Sequence, residues 1–395
     1  MQEEIKKFLQ IKLCNSCLGR QFAKLWHGMT NEERGKKIRE EIGIEPVEYE
    51  ECWLCEGIMG EVDKFAHMVV ESLKEYEFDT FLVGCRIDED IIKREERIAT
   101  PYSEPIKREI NREVGKRVEA ITGKEAEFVY PDIVAIIDTS YDVVELDVRP
   151  VFIYGRYKKM VRGIPQTKWY CRKCHGKGCE YCNFKGKMYD ESVEEIIAAV
   201  PLKMFEAKDE EFHGAGREDI DVRMLGNGRP FILELKEPRR RKIDLDELRN
   251  AINEFGKGKV EVMDIRYAKR KEVEMLKAAK YPKTYRVKIR FGEKGKINEA
   301  VNALRGSIIE QRTPRRVAHR RADKVRRRKV MEIKIEEMKM NEATLVIKAE
   351  SGTYIKELIT GDEGRTSPSL SHLAGADLEV ESLDVIEIGD GNEKI

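Results

Sequence analysis

Apolar residues recur along the first part of the chain in two alternating periods, which predict an α/β domain. They have helical spacing in EVDKFAHMVVESLKEYE and again in PIKREINREVGKRVEAITG. The segment FDTFLVGCRI between them is typical of a strand, and DIVAIIDTS and DVVELDVRP follow as further strands. Such alternation predicts a sheet covered by helices. We expect this domain to span residues 1–160, with its boundary between about Tyr154 and Gln166 in the turn-rich stretch that ends RGIPQTKW.

The remaining residues, 161–395, are richer in short strands. PFILEL, KVEVMDIRYA, TYRVKIRF, ATLVIKAE and LEVESLDVIEI have strand character, whereas LDELRNAINEF and KINEAVNALRG are helical. This mixture predicts an α+β domain. The sequence contains no long internal repeat, glycine-rich phosphate loop or dinucleotide fingerprint. We therefore expect neither a nucleotide nor another organic cofactor.

The charge of the chain is balanced in total but not along its length. Residues 1–150 carry 33 acidic and 22 basic side chains, whereas residues 151–395 carry 41 and 52. A polyanion should therefore be attracted mainly to the second part. No apolar run approaches the ~20 residues that span a bilayer, and the charged start MQEEIKKFLQ lacks a signal-peptide pattern. We expect a cytoplasmic protein without a membrane partner.

Eight of the nine cysteines occur in Cys-x-x-Cys pairs, which are more often metal ligands than disulfides in a reducing compartment. One set comprises Cys14, Cys17, Cys52 and Cys55. Two such hooks predict a closed, structural zinc site. The other set comprises Cys171, Cys174, Cys179 and Cys182. It is a second candidate zinc site within 171–182, and a reactive dithiol remains the alternative.

A carboxylate follows a glycine turn in GREDIDVRMLGNGRPF, residues 216–231. If Ile220 and Val222 alternate along a strand, Asp219 and Asp221 share its opposite face. A carboxylate at the mouth of a strand can serve as a nucleophile or as an acid or base. The residues alone leave open the alternative of a solvated ion pair.

Residues 312–329 form the densest cationic segment, with ten arginines or lysines in eighteen residues and only Asp323 acidic. We predict that this basic run contacts RNA phosphates, with a solvated face as the alternative. The RNA-binding candidates are Arg315, Arg316, His319, Arg320, Arg321, Arg326, Arg327 and Arg328. Arg239–Lys242 and Arg156–Lys159 are secondary candidates.

Three segments, in order, resemble motifs of one enzyme family. GREDIDVRMLGNGRPF resembles the signature of the archaeal and eukaryotic tRNA pseudouridine synthases that act on the T arm. KTYRVKIR is similar to the second motif of that family and SGTYIKEL to the third. The resemblance also covers the basic run and the amino-terminal cysteine pairs, and so extends over nearly the whole chain. It implies a pseudouridine synthase catalytic domain with a mixed or antiparallel sheet, preceded by a zinc-containing, THUMP-like RNA-binding domain.

The same resemblance implies roles for individual residues. Asp219 would be the catalytic nucleophile, Tyr285 would stack on the uracil, and Lys356 would keep Asp219 ionised. Arg217 and Tyr354 lie in the matched motifs and are further substrate-binding candidates. The third motif often has arginine at the position of Lys356, and lysine cannot form the same planar fork to a carboxylate. Without the resemblance, Tyr285 would be interpreted as a core aromatic and Lys356 as a solvated lysine.

The implied function is the isomerisation of uridine to pseudouridine at position 54, position 55 or both in the T loop of tRNA. One alternative is another RNA-modifying enzyme with a THUMP-like domain, but the sequence shows no machinery for a methyl donor or ATP. The other is a noncatalytic, zinc-containing RNA-binding protein, which would leave the three ordered motifs unexplained. The sequence does not indicate the oligomeric state.

Overall fold

The chain divides into two compact units. The computed structural model describes residue 8, residues 10–292 and residues 296–389, and the side chain of Arg320 lies outside this description. The first unit comprises Met1–Arg149 with Glu237–Arg241, and the second comprises Pro150–Lys236 with Lys242–Ile395. None of the described helices is both long and apolar enough to span a bilayer.

The first unit is built from helices and a four-stranded sheet. Its helices are α1 (Asn15–Arg20), α2 (Asn31–Ile42), α3 (Val62–Leu73), α4 (Glu89–Ile98) and α5 (Ile106–Thr122). Its strands are β1 (Thr80–Arg86), β2 (Glu125–Ala126), β3 (Ile133–Asp138) and β4 (Val143–Val148). They lie in the order β2-β1-β3-β4, with β1 parallel to β2 and β3, and β4 antiparallel to β3.

Apolar periodicity explains how these elements pack. Strand β3 buries every second residue, including Ile133 and Ile137. Helix α5 buries Ile110, Val114 and Val118, which lie four residues apart along one stripe. The stripe packs against β1 and α3. The predicted α/β character of this part is confirmed.

The second unit contains a ten-stranded sheet. Its helices are α6 (Val193–Met204), α7 (Leu245–Phe255), α8 (Arg270–Ala278), α9 (Ile297–Leu304), α10 (Ile355–Thr360) and α11 (Leu370–Ala374). Its strands are β5 (Val151–Lys159), β6 (Asp209–Gly214), β7 (Arg223–Lys236), β8 (Val260–Ala268), β9 (Lys283–Phe291), β10 (Ile308–Arg312), β11 (Val325–Met338), β12 (Glu342–Ala349), β13 (Thr366–Ser367) and β14 (Leu378–Ile388). Their order is β13-β10-β11-β12-β9-β14-β7-β5-β8, with β6 paired to β7. Only the β14–β7 pair is parallel among the pairings of these named strands, so the predicted α+β class is confirmed.

The units meet in sequence at Arg149 and Pro150, earlier than the predicted boundary near residue 160. Strand β5 pairs with β7 and β8 inside the large sheet and therefore belongs to the second unit. The strand-like sequence pattern of β5 follows that of β4 directly, so the sequence did not show that the two strands belong to different sheets. The segment Glu237–Arg241 joins the first unit although it follows β7, and its sequence gave no sign of this.

Both secondary basic segments have internal contacts. Lys159 is fully buried, so the prediction that it contacts phosphate is wrong. Its ammonium lies on the inward face of β5, where it donates to backbone carbonyls at 3.0–3.2 Å. In the other segment, Arg239 pairs with Glu75 at 2.9 Å and Arg241 with Asp132 at 3.3 Å. These arginines stabilise the first unit.

Candidate active site

Asp219 lies in the turn between β6 and β7. The Val222 N–H donates to the Asp219 carbonyl at 3.0 Å, and β7 begins only at Arg223. The predicted strand alternation of Ile220 and Val222 is therefore wrong. Gly216 approaches this turn with φ +78°, where a Cβ would lie 3.3 Å from the side-chain nitrogens of Arg229 and Lys283. A glycine is required there by both the left-handed backbone and the close cations.

A buried network supports the turn. Both carboxylate oxygens of Glu218 accept from the Tyr157 hydroxyl at 2.9–3.0 Å, and one accepts from Arg229 Nε at 2.9 Å. Arg229 also donates to the Ala215 carbonyl at 2.8 Å, and Lys159 donates to the Asp219 carbonyl at 3.2 Å. Buried charges of this kind are tolerated when each is paired and hydrogen-bonded. The network fixes the backbone on both sides of Asp219.

The Asp219 carboxylate forms an ion pair with Arg316. Arg316 Nη1 donates to Asp219 Oδ2 at 2.7 Å, and Arg316 Nε donates to the buried Glu357 at 2.6 Å. Burial alone would lower the pKa of Arg316, but its bond to Glu357 and the charges of both carboxylates raise it. Arg316, a predicted phosphate contact, therefore lies at the centre of the site.

Lys356 pairs with the other aspartate of the turn. Its ammonium donates to Asp221 Oδ2 at 2.6 Å, so the predicted pairing of Lys356 with Asp219 is wrong in this structure. Arg316 occupies that role, and Lys356 in the first turn of α10 reaches Asp221 instead. Burial would raise the pKa of Asp221, but the hydrogen bond and charge of Lys356 outweigh it and lower that pKa.

One cavity of about 230 Å³ brings together the residues that the three motifs contribute. Its walls include the candidates Arg217, Asp219, Tyr285, Tyr354 and Lys356. The Tyr354 backbone is clamped on both sides, because the Gln311 amide donates to its carbonyl and accepts from its N–H, each at 2.9 Å. We call this the catalytic cavity.

Tyr285 forms part of the floor of the catalytic cavity. It lies in β9 opposite Ile347 of β12 and Val385 of β14, and its side chain is buried. Burial and the negative charge of Asp219 raise the pKa of Tyr285 to about 12, although the positive charge of Arg229 acts in the opposite direction. The interpretation of Tyr285 as a core aromatic is confirmed, and because its side chain also lines the cavity, its stacking on the uracil stays a prediction. Its phenol is protonated at neutral pH and can stack or donate.

Lys283, two residues before Tyr285, lines the same cavity and was not singled out from the sequence. Its burial, with a contribution from the Arg229 charge and against the attraction of Glu218, lowers the pKa of Lys283 to about 7. An ordinary lysine in a strand carries no sequence signal for such an environment. Glu218, Arg229 and Glu357 were missed for the same reason.

The basic run does not form one continuous stripe. Arg315–Arg320 form a 3-10 helix, and β11 contains Arg326, Arg327 and Arg328. Because side chains alternate along a strand, Arg327 is exposed whereas Arg326 and Arg328 are half-buried. Arg326 donates to Thr313 Oγ1 at 2.9 Å.

The outer members of the run remain available to solvent. Arg315 pairs with Glu363 at 2.5 Å on the surface, and His319 is exposed. Arg321 Nη1 approaches the Tyr354 hydroxyl at 3.5 Å, at the rim of the catalytic cavity. The predicted contact of Arg320 concerns a side chain outside the described residues.

The amino-terminal cysteines converge as predicted. The ligand atoms of all four lie within 4.8 Å of one another, and the Cys14 and Cys55 sulfurs are 3.8 Å apart. A tetrahedral site with ~2.3 Å metal–sulfur bonds requires sulfurs about 3.8 Å apart. Arg20, fully buried, donates to the Cys17 sulfur at 3.4 Å and to Glu109 at 2.8 Å. The donor set and the nearby cation fit a tetrathiolate metal ion.

The second cysteine set forms a compact knuckle, residues 169–189, closed by a bridge between Tyr170 and Lys187. Sulfur distances of 3.8 Å join Cys171 to Cys179, and Cys182 to both Cys174 and Cys179. Backbone N–H groups donate to these sulfurs, including Gly178 to Cys174 at 3.2 Å. This geometry also fits a four-coordinate metal.

Comparison with known proteins agrees with this arrangement. The carboxy-terminal domain of Pus10 matches residues 152–389, and the archaeal Pus10 THUMP domain matches residues 65–138. A tRNA pseudouridine synthase Pus10 from Methanothrix thermoacetophila is 43% identical over 95% of this chain and 92% of its own length. Relatives of the same name from Methanopyrus kandleri and Pyrococcus furiosus are 43% and 42% identical, and cover 99% and 97% of this chain and 98% and 96% of their own lengths.

These matches define a two-part class of protein, with an archaeal THUMP domain followed by a Pus10 carboxy-terminal domain. The chain belongs to the Pus10 family. The resemblance noted in the sequence is thereby confirmed, as is the THUMP-like character of the amino-terminal part.

Proposed function

We propose that this protein is a tRNA pseudouridine synthase that isomerises uridine 54, uridine 55 or both in the T loop. The observation that carries the proposal is the catalytic cavity, where Asp219, Tyr285 and Lys356 from three separate segments meet. The relatives that match nearly the whole chain carry the name of this activity.

The chemistry needs a carboxylate and a site for one base. The N1–C1′ bond breaks, the uracil rotates, and C5 bonds to C1′, while the proton lost from C5 balances the one gained at N1. Asp219 acts as the nucleophile or initiates loss of the base through the sugar. Because the reacting atoms are inaccessible in folded RNA, the uridine first turns out of its stack into the catalytic cavity.

The surrounding side chains divide the remaining tasks. Arg316 holds the Asp219 carboxylate in place through its 2.7 Å bond. Tyr285 stacks on the uracil, with a phenol that keeps its proton at neutral pH. Lys356 and Arg217 lie on the cavity wall and contact the phosphates beside the target nucleotide.

Zinc fits both cysteine clusters, where the thiolates of each set would hold one ion in a structural role. Four sulfur ligands leave no open coordination position, and zinc supplies folding free energy rather than reaction chemistry in such sites. Cysteines that bind metal rather than form disulfides are typical of a reducing compartment, which supports the cytoplasmic location expected from the sequence.

The test is to incubate the protein with an unmodified tRNA transcript and map pseudouridine by position. We expect the product at 54, 55 or both. The Asp219→Asn variant should lose several orders of magnitude in rate, because the amide is not a nucleophile, while binding tRNA within a few fold.

Asp221→Asn is the matched control, since it removes a carboxylate two residues away that pairs with Lys356. We expect the rate of that variant to fall by about tenfold or less, which corresponds to an activation free energy higher by at most ~1.4 kcal/mol. An active Asp219→Asn enzyme beside an inactive Asp221→Asn enzyme would show that the catalytic carboxylate is Asp221. Absence of pseudouridine from the wild-type reaction would contradict the proposed function itself.

A further inference from the structure

A second cavity shares Asp219 as a wall with the catalytic cavity. It has a volume of about 250 Å³, and its walls include Asp219, Arg316 and Lys356, which it shares with the catalytic cavity. Its remaining walls include Pro165, Trp169 and Asp221. We call it the flanking cavity. The proposed reaction uses one base, so the catalytic cavity alone does not explain why this second space exists.

The flanking cavity has the side chains that bind an unpaired nucleotide. Trp169 supplies a large aromatic surface, and the Arg217 guanidinium lies 5.9 Å from its ring centroid. The Tyr189 ring meets Trp169 edge to face at 5.4 Å. Stacking on aromatic rings combined with nearby cations is the usual basis of single-stranded nucleic acid binding.

The polar groups of this cavity suit a base and its phosphate. Asp221 is held by Lys356 at 2.6 Å and offers carboxylate oxygens to N–H groups on a base edge. Arg217, Arg316 and Lys356 line both cavities, so three cations lie where the two cavities share a wall. A phosphate that joins two nucleotides, one in each cavity, would lie among them.

The knuckle that supplies Trp169 has an unusual surface. Tyr170, Tyr181 and Phe184 are 60%, 53% and 74% exposed. Phe184 has φ +60°, a rare conformation for a bulky residue, in the turn where its N–H donates to the Cys179 carbonyl at 2.9 Å. Lysines lie over the Tyr170 and Tyr181 rings at 5.9 and 4.9 Å. Exposed aromatics paired with cations continue the chemistry of the flanking cavity across the knuckle.

We propose that the flanking cavity is a second nucleotide-binding site, in which Trp169 stacks on the unpaired base adjacent in the strand to the target uridine. The proposal rests on the proposed function, because that function supplies the target nucleotide. It gives the second cysteine cluster a purpose, which is to position Trp169 beside the catalytic turn. The ligand is an unpaired nucleobase of the same RNA loop.

The experiment uses Trp169 as its own reporter. The chain has three tryptophans, so Trp26→Phe and Trp53→Phe in the full-length Asp219→Asn protein leave Trp169 as the only one. Titration with a T-arm stem–loop RNA should quench its fluorescence. The same RNA with an abasic ribose at each neighbour of the target should lose the quenching at one of those positions.

Affinity provides a second measurement. In the Asp219→Asn protein, Trp169→Ala should weaken stem–loop binding by roughly five- to hundred-fold, the range expected for one stacked base. Trp169→Tyr should retain most of the affinity. The RNA that is abasic at the identified position should bind the alanine and tryptophan proteins equally. Phe255→Ala, which removes an aromatic that is 59% exposed in the same unit, is the matched control and should have no effect.

The outcomes separate this proposal from the proposed function. If wild-type enzyme forms pseudouridine but Trp169 is not quenched by any RNA, the second site is refuted and the function stands. If quenching persists with every abasic RNA, Trp169 reports a distant change and the proposal is also refuted. The zinc content of the Trp169→Ala protein shows whether its knuckle is intact. If the knuckle is lost, the fluorescence experiment still tests the proposal, because it uses protein that retains Trp169. Failure of wild-type enzyme to modify tRNA would refute the function instead.

Discussion

Arg316 holds two carboxylates at once, and this distinguishes it from the other arginines of the basic run whose side chains the structure describes. It donates to Asp219 at 2.7 Å and to the buried Glu357 at 2.6 Å. Its side chain is itself 36% exposed, so the pairing with two carboxylates, rather than burial, sets it apart. Under the proposed function, the same residue type would serve the chemistry at one position and phosphate binding a few residues away, and only the fold separates the two.

We predict that Arg316→Gln lowers the single-turnover rate on bound tRNA by roughly ten- to hundred-fold, because Asp219 loses the cation that orients it. Arg316→Lys should not restore the rate fully, since lysine cannot bridge two carboxylates through a planar fork. The rate is measured at saturating enzyme, alongside tRNA affinity at several salt concentrations.

Arg327→Gln is the control, because Arg327 is exposed and meets only Glu310 at 3.8 Å among the ion pairs of the described residues. Loss of a phosphate contact reduces the slope of log affinity against log salt by about 0.7–0.9. If Arg316→Gln reduced this salt slope and left the single-turnover rate unchanged, Arg316 would be a phosphate contact, as first predicted from the sequence.

Lys283 makes the stability of the protein depend on pH. Its pKa in the folded chain is about 7, below the ~10.4 of an unfolded lysine. Between about pH 7 and pH 10 the unfolded chain binds a proton that the folded chain lacks, so the free energy of unfolding rises with pH. Below pH 7 Lys283 is protonated in both the folded and the unfolded chain, so the full free-energy cost of burying its charge lowers the stability of the folded protein.

Lys283→Met, which keeps the length of the side chain and removes the charge, should therefore stabilise the protein more at pH 6 than at pH 9. A shift of one pKa unit corresponds to ~1.4 kcal/mol, so the difference between the two pH values amounts to a few kcal/mol at most. Denaturant unfolding of both proteins at each pH measures it. Parallel stability curves would show that Lys283 keeps an ordinary pKa in the folded chain.

At the scale of elements, the two cysteine clusters have different surroundings. The first is buried in the core of the first unit, where Cys17 and Cys55 are fully inaccessible. In the second, Cys174 and Cys179 are only half-buried, within a short surface knuckle. Loss of a metal should therefore have unequal consequences at the two clusters.

We predict one zinc ion in each cluster of the purified protein. Cys52→Ser should remove one ion and strongly destabilise the first unit, because metal binding there is also folding free energy. Cys174→Ser should remove one ion with a small effect on global unfolding. Elemental analysis and thermal unfolding of both variants provide the measurement. If Cys52→Ser protein lacked that ion but unfolded at the same temperature as the wild-type protein, the structural role of the first cluster would be contradicted.

Elements with strong periodicity could be predicted from the sequence, whereas elements made of charged residues could not. LEVESLDVIEI coincides with β14, whose apolar residues lie two positions apart in short stretches separated by register shifts. Strand β11 was concealed because VRRRKV carries charges on both faces near one end of the sheet. Glu218 was missed and Lys159 was predicted to be an RNA contact because the burial of both depends on partners brought together only by the fold. The motifs identified Asp219, but no spacing rule could show that Arg316 would be its partner.

On the scale of the whole molecule, the charge difference between the two parts should be visible in tRNA binding. The exposed cations of the basic run lie in the second unit, whereas residues 1–150 have an excess of acidic groups. Neutralising three exposed cations of the run should reduce the salt slope by about 2–3 in total, from about 0.7–0.9 for each lost contact. The residues to change to glutamine are Arg315, Arg327 and Lys329.

A matched triple variant in the first unit changes exposed lysines to glutamine and should leave the slope nearly unchanged. These control residues are Lys12, Lys74 and Lys93. Binding is measured over a series of salt concentrations for both variants. Equal reductions would show that RNA contacts are spread over both units rather than concentrated on the basic run.

The segment Glu237–Arg241 has a consequence for how the protein matures. The Glu77 N–H donates to the Arg239 carbonyl at 2.7 Å, and the Arg241 N–H donates to Glu77 Oε2 at 2.6 Å. A ribosome releases Glu77 long before it has made Arg241, and all of β7 comes between them. The first unit therefore acquires the contacts of this segment only after a large part of the second unit has been synthesised. A fragment that stops at Arg149 would lack these hydrogen bonds, so a fragment designed to contain the complete first unit should also include residues 237–241.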